Sequence, residues 1–331
     1  MDVDAYVAAH HLEWARLERL INRSRKLSGI EIDEMVELYQ RTATHLSVVR
    51  SASPDPVLVG RLSSLVARGQ ATVSGSHAPL WRDARRFVTV SFPAAAYRLR
   101  WWWLSIAVIG NLISLAVAIW IVQDPTVQAS LGAPSMVRDL VNHKFASYYT
   151  DHQASAFAFQ VWVNNVWVSA QTIAFGILLG IPVVLVLFAN QMNVGVEAGF
   201  MFAYGKGDIF FGLILPHGML ELTGVYLAGA AGLKLGWTII DPGGLPRGRA
   251  LAAEGRAMAT IAIGLIGVLC VSGLIEGFVT GYVPVTWLRI GIGVLAETAF
   301  LTYVIRFGRQ AVRAGATGDE GLTPDTAPVS A

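Results

Sequence analysis

The residues best suited to chemistry sit in one short run, Leu215-Pro216-His217-Gly218-Met219-Leu220-Glu221. Proline suits the start of a helix. His217 and Glu221 are four residues apart, so they share a helix face. Imidazole and carboxylate are both metal ligands. A histidine that titrates near neutrality beside a buried carboxyl also suits a proton or cation relay. Two ligands do not complete a metal site, and no His-Glu-x-x-His pattern occurs. No metal site is therefore assigned, and metal-dependent intramembrane proteolysis is a minor alternative. The reading that asks least of the pair is a hydrogen bond that locks a broken helix.

Glu197, Glu276 and Glu297 also fall in or near apolar runs. A charge at mid-membrane costs about 2.5–3.5 kcal/mol on insertion scales, so four unpaired glutamates would cost on the order of 10 kcal/mol. They should face one another, a basic partner or a wet cavity. The partners on offer are His217, Lys206 and Arg289. Glu276 and Arg289 stand near the ends of successive spans, where a bridge across the hairpin is easy. Such a bridge either fixes packing or belongs to a functional cavity. Asn164, Asn165, Asn190 and Asn193 flank the second span and can bond across helices. Gly224, Ala228, Gly232 and Gly236 form a ridge of small residues. Gly176/Gly180, Gly195/Gly199 and Gly277/Gly281 repeat the spacing. Such ridges let helices approach closely in lipid, within one chain or in a homo-oligomer.

Composition says what must position these groups. Of 331 residues, 54% are apolar and 15% charged, with mean hydropathy +0.51. Soluble domains carry about 25% charged residues, so the chain reads as an all-α polytopic membrane helix bundle and not a soluble enzyme. Residues 1–100 hold 14 Lys/Arg and 10 Asp/Glu, against four Lys/Arg in residues 101–240. The lone cysteine, Cys270, reads as a small buried apolar residue. No signal peptide is expected, because the first 30 residues are polar and amphipathic; the first span then serves as an uncleaved insertion signal.

Residues 1–78 read as a cytosolic helical domain. Val3, Val7, His10, Trp14, Leu17 and Ile21 make one seam. Ser28 and Glu31 form a capping box, opening a helix with Ile32, Val36, Tyr39, Ala43 and Leu46 inward. Ser53-Pro54 starts a third helix with Leu58, Leu62, Leu65 and Val66 inward, and residues 75–79 are a break. Residues 79–100 are basic and aromatic, and suit an interfacial helix bent at Pro93 that lies on anionic lipid; nucleic acid is not an expected partner. About six spans follow, at 101–122, 166–188, 194–208, 209–240 (broken near Pro216), 257–279 and 285–305. Between the first two, residues 123–160 form an outer loop in which 134–149 has helical spacing. Residues 190–193 read as a tight turn, the loop 241–256 carries Arg247, Arg249 and Arg256, and residues 314–331 are expected to be disordered. The arginines put both termini in the cytosol of a bacterial cytoplasmic membrane.

No Walker A lysine motif, Gly-x-Ser-x-Gly or nucleotide-binding glycine turn is present. The chain is not expected to be an enzyme or to hold a cofactor, and any energy must come from another protein.

Four runs carry a resemblance. They are Phe159-Gln160-Val161-Trp162-Val163-Asn164-Asn165-Val166, the span ending Phe188-Ala189-Asn190, Leu215-Pro216-His217-Gly218 with Glu221, and Ala228-Gly229-Ala230-Ala231-Gly232. Over roughly residues 95–310 the chain resembles the stage II sporulation protein M family of bacterial membrane proteins, in a longer actinobacterial version. The resemblance implies a non-enzymatic scaffold that recruits envelope proteins for peptidoglycan remodelling or a sporulation-like differentiation. Wall hydrolases or a MoxR-type ATPase are the implied partners. Asn164, Asn165, Pro216, His217, Gly218 and Glu221 match the family motif, with no catalytic role attached. The long front end departs from the founding member. The alternative is a permease or channel subunit that uses the intramembrane Glu and His and is powered by a separate ATPase. The scaffold reading also expects Phe145, Tyr148 and Tyr149 to face outward and bind a partner.

Overall fold

The computed structural model describes residues 3–24, 27–52, 56–74, 80–149 and 153–319. Among them all regular structure is helical. The chain divides after Asp83 into two compact units.

The first unit holds α1 (Val3–Asn22), α2 (Gly29–Ala52) and α3 (Pro56–Ser74). Trp14, Leu17, Leu20 and Ile21 of α1 meet Met35, Leu38, Leu46 and Val49 of α2 and Leu62 and Leu65 of α3 in one core. The capping box forms: the Ser28 amide donates to Glu31 Oε2 at 2.9 Å and the Glu31 amide to Ser28 Oγ at 3.4 Å. Those bonds, the backbone one first, hold the Glu31 carboxyl below its ordinary value. The buried stripe of α2 differs from the expected one. Met35, Leu38, Thr42 and Val49 are buried while Ile32 is exposed, because Thr42 satisfies its hydroxyl on the Leu38 carbonyl at 2.7 Å and can turn inward. The expected starts and breaks at 53–54 and 75–79 lie outside the described residues.

The division falls within α4 (Leu80–Arg86), and the second unit continues through a π turn, Phe87–Ser91, into α5 (Phe92–Arg98). The bend is that π turn; Pro93 sits in the first turn of α5. This segment does not lie wholly on a surface. Phe92, Ala95 and Ala96 are buried in the main core with Ile261, Leu265 and Val304, and Ala94 is buried too. After α6 (Arg100–Gln123), Asp124 caps α7 (Pro125–Leu131), accepting from the Thr126 amide at 2.9 Å. Then come α8 (Pro134–Asp139), a π turn at Leu140–Lys144, and α9 (Phe145–Ser147). The remaining helices are α10 (Ala154–Ala174), α11 (Ile181–Ala203), α12 (Gly207–Ile240), α13 (Arg247–Leu274) continued by a π turn at Ile275–Thr280, α14 (Thr286–Tyr303) continued by another at Val304–Gly308, and α15 (Arg309–Arg313).

Five stretches are long and apolar enough to cross a membrane: α6, α11, α12, α13 with its π turn, and Thr286–Arg313. α10 has no charged residue but carries Gln160, Asn164, Asn165 and Gln171. Its contacts place it parallel to α12: Gly232 packs on the Thr172 carbonyl, and Gly236 on Leu179 and Gly180. α6 runs parallel to α11 in the same way, with Gly195 on Ser114 and Gly199 on Ile121.

Three expected boundaries are corrected. α12 is not broken near Pro216; it runs 34 residues through the proline. That is about 51 Å at 1.5 Å per residue, more than the roughly 30 Å hydrocarbon core, so a single long helix simply projects beyond it. Pro216 is tolerated inside the helix because its neighbours re-satisfy the chain and Gly293 of α14 packs on its carbonyl. The chain reverses at 175–180, where Leu179 (φ 58°) and Gly180 (φ 74°) are left-handed and Pro182 opens α11. Residues 190–193 stay helical because Ser114 Oγ donates to Gln191, at 2.8 Å to Oε1 and 2.9 Å to the carbonyl. Arg247, Arg249 and Arg256 lie on α13 itself, not in a loop. The start of the tail is also pinned: Arg256 donates to both carboxylate oxygens of Asp319 at 2.6 and 2.9 Å, and Thr260 to the Gly318 carbonyl at 2.9 Å. Residues 320–331 lie outside the described residues.

Candidate functional site

α12 carries His217 and Glu221 on one face, ten and fourteen residues from its first residue. At 1.5 Å per residue His217 is about 15 Å from the start of α12. Opposite stands the π turn that ends α13, and Glu276 lies within it. A π turn widens a helix and often marks a functional site. Here it aims Glu276 at α12, and the Thr280 hydroxyl closes it on the Ile275 carbonyl at 3.3 Å.

These groups border a cavity of about 640 Å³. α10 contributes Asn164 and Asn165, α11 Glu197, α12 His217, Gly218 and Glu221, and the π turn Glu276. His217 and Glu276 are 5% and 4% exposed. One ring nitrogen of His217 and one oxygen of each of Glu221 and Glu276 lie within 4.8 Å of one another. His217 Nδ1 is 3.2 Å from Thr280 Oγ1, and Nε2 is 3.9 Å from Glu276 Oε1. Ser272 donates to the His217 carbonyl at 3.1 Å, and Asn165 and Ser272 flank the Glu221 carboxyl. The helical segment 134–149 lines the cavity with Lys144, Phe145, Tyr148 and Tyr149. Asp139 holds Lys144 in an ion pair at 2.9 Å. Burial, and then the Glu276 carboxylate, push the Tyr149 phenol above its ordinary value.

The expected Glu276–Arg289 bridge is not made. Arg289 instead donates to the Thr280 carbonyl at 2.8 Å and to Thr286 Oγ1 at 3.1 Å, because the π turn points Glu276 inward, to His217. The outward-facing aromatic face is also corrected. Phe145 and Tyr149 are buried with Phe157 and Phe210, leaving Tyr148 half exposed. Glu297 stands apart and accepts from Thr223 Oγ1 at 2.8 Å. Asn190 accepts from Gln191 and is not at the cavity. Among the described residues Lys206 makes no ion pair. Gly224, Ala228, Gly232 and Gly236 are all buried within the chain.

Sequence reasoning missed Ser272 and Thr280, and set Tyr149 facing outward instead of at the cavity. Ser272, Glu276 and Thr280 recur every four residues, which was the available signal. It also missed a cluster in the first unit, where His10, Glu13 and His45 offer ligand atoms within 4.8 Å. There the Trp14 indole donates to His45 Nδ1 at 3.1 Å. The neutral ring then keeps its proton on Nε2, so His45 has no lone pair left for a metal.

The polar residues around the cavity all lie inside one family match. Stage II sporulation protein M matches residues 105–281. The chain belongs to that family. A domain of unknown function (DUF8413) matches residues 4–75, the three-helix unit. No curated protein and no solved structure matches the chain. The stage II sporulation protein M region includes Asn164, Glu197, His217, Glu221 and Glu276 and stops short of Arg289 and Glu297.

Proposed function

We propose that this member of the stage II sporulation protein M family is a non-enzymatic scaffold of the bacterial cytoplasmic membrane. It gathers partner proteins for cell-envelope remodelling. The observation that carries the reading is the two-part build. A bundle with five helices apolar enough to span continues from a charged three-helix unit with a core of its own. A unit cored apart from the membrane bundle suits recruitment of soluble or peripheral partners. Wall hydrolases or a MoxR-type ATPase are the partner classes. Orientation follows from charge: with α10 as a sixth crossing, Arg98, Arg247, Arg249, Arg306, Arg309 and Arg313 gather at one end, which the positive-inside rule puts in the cytosol with both termini. Contacts of Arg98 with Glu254 and of Gly308 with Pro93 tie that end together.

The test is crosslinking mass spectrometry on the chain tagged at native level, with and without residues 1–78. Scaffold function expects recovery of an envelope-remodelling protein that is lost with the unit, while the bundle still inserts. An identical partner set without the unit defeats the reading.

A further inference from the structure

We propose that His217, Glu221 and Glu276 bind one divalent transition-metal cation of the zinc class in the cavity between α10, α11, α12 and the π turn of α13. The site goes beyond the scaffold reading and does not depend on it.

The argument starts from the Thr280 hydroxyl. It donates to the Ile275 carbonyl at 3.3 Å, so the atom it turns to His217 Nδ1 is a lone pair. Nδ1 must then carry the proton, which fixes the tautomer. Nε2 is left with a free lone pair aimed into the cavity, 3.9 Å from a carboxylate oxygen of Glu276. A lone pair facing a carboxylate is repulsive until a proton or a metal cation lies between them, and at 3.9 Å the gap is wider than a hydrogen bond. Glu276 is 4% exposed and lines the cavity. Among the described residues it accepts no hydrogen bond. Natural histidine ligands are oriented in this way, by a hydrogen bond from the other ring nitrogen.

Charge balance fits such an ion. Two carboxylates and a neutral imidazole carry −2, and a divalent cation brings the set to zero, as two protons would, among buried groups where net charge is costly. One nitrogen and two oxygen donors suit zinc and its neighbours better than calcium or magnesium, which take oxygen ligands. Zinc bonds of about 2.0–2.2 Å put tetrahedral donors about 3.4 Å apart. The side chains therefore need to draw in by on the order of 1 Å, within reach of flexible glutamates. Water in the cavity supplies the remaining ligand.

The test is metal content and affinity. The full chain, purified in mild detergent on a tag without histidine, is stripped with chelator. It is then titrated with Zn2+ against a chromophoric competitor, with Co2+ as a spectroscopic probe. One tightly held Zn2+ per chain and cobalt bands of low coordination number are expected. Glu276→Gln and His217→Gln should each weaken binding at least tenfold. Thr280→Val, which removes the hydroxyl that sets the ring tautomer and closes the π turn, should weaken it about 10- to 100-fold. Glu297→Gln should leave it unchanged. Wild-type chain that takes up neither Zn2+, Mn2+ nor Co2+ overturns the proposal, whatever the variants do. So does equal affinity in Glu276→Gln chain that elutes as a folded monodisperse peak.

Discussion

Arg98→Met should destabilise the bundle by about 2 kcal/mol. Arg98 of α5 donates to Glu254 of α13 through both terminal nitrogens, at 2.5 and 3.0 Å, across 156 residues of sequence. The side chains are 28% and 10% exposed. Breaking a fully buried pair by removing one partner costs about 3–5 kcal/mol, and an exposed pair is worth about 0–1. A pair with one nearly buried carboxylate and one quarter-exposed guanidinium falls between. At roughly 2–4 °C per kcal/mol for a unit of this size, the apparent midpoint should fall by about 4–8 °C. The assay is fluorescence-detected size exclusion of the detergent-solubilised chain after heating, at one heating rate because unfolding of such chains is irreversible. Arg98→Met with Glu254→Leu should recover most of the loss, since an apolar pair replaces a buried ionic one at little cost. A single variant within about 1 °C of wild type refutes the reasoning. So does a double variant that falls as far as the two singles added.

Gly232→Leu should abolish the monodisperse folded peak, because its side chain would meet the Thr172 carbonyl and Val183; Gly255→Leu and Gly267→Leu, with open space around them, should elute like wild type. Ser28→Ala should cost the first unit about 1 kcal/mol, read as faster amide exchange in the first turn of α2. The folded carboxyl of Glu31 titrates below its unfolded value, so its contribution is complete above the unfolded pKa of about 4.3 and fades as pH falls through the folded one. Acid should therefore narrow the gap between wild type and Glu31→Gln, and a gap that widens on acidification would contradict the capping box. Asp319→Ala should release the last described residues from Arg256, seen as faster proteolysis after Arg313; unchanged cleavage would mean that the pair does not hold the segment.

Much of this was legible because membrane insertion is a strong filter. Charge content alone sets the fold class, and the apolar runs locate α6 and α14 to within a turn but miss the first ten residues of α13. The capping box and the α1 seam were readable because each is a local pattern. The errors share a cause: polar residues in an apolar run were read as interruptions. Asn190-Gln191-Met192-Asn193 looked like a turn, yet Gln191 meets Ser114 inside a helix–helix contact. Pro216 looked like a break, yet Gly293 leaves room for the chain to run on. Whether a polar side chain ends a helix or joins two depends on a partner far away in sequence. The site was half legible for the same reason. His217 and Glu221 share a face by spacing alone, but that Glu276 meets them, and not Arg289, depends on the π turn at the end of α13.

The cavity itself follows from how α12 is written. α12 touches α6, α10, α11, α13 and α14. In its second half glycine and alanine recur every four residues, and there the neighbours close in. Thr172 lies on Gly232, the 175–180 turn on Gly236, and Leu265 and Leu269 on Gly224. In its first half the corresponding face carries His217 and Glu221, which border the cavity. The segment 134–149 lines it from the other side with Phe145 and Tyr149. The polar hollow thus sits at the half of α12 that carries the polar residues, and the close packing at the half that carries the small ones. It would persist after loss of any one carboxylate, so in Glu221→Gln or Glu276→Gln the space should remain and only its ability to hold charge should change.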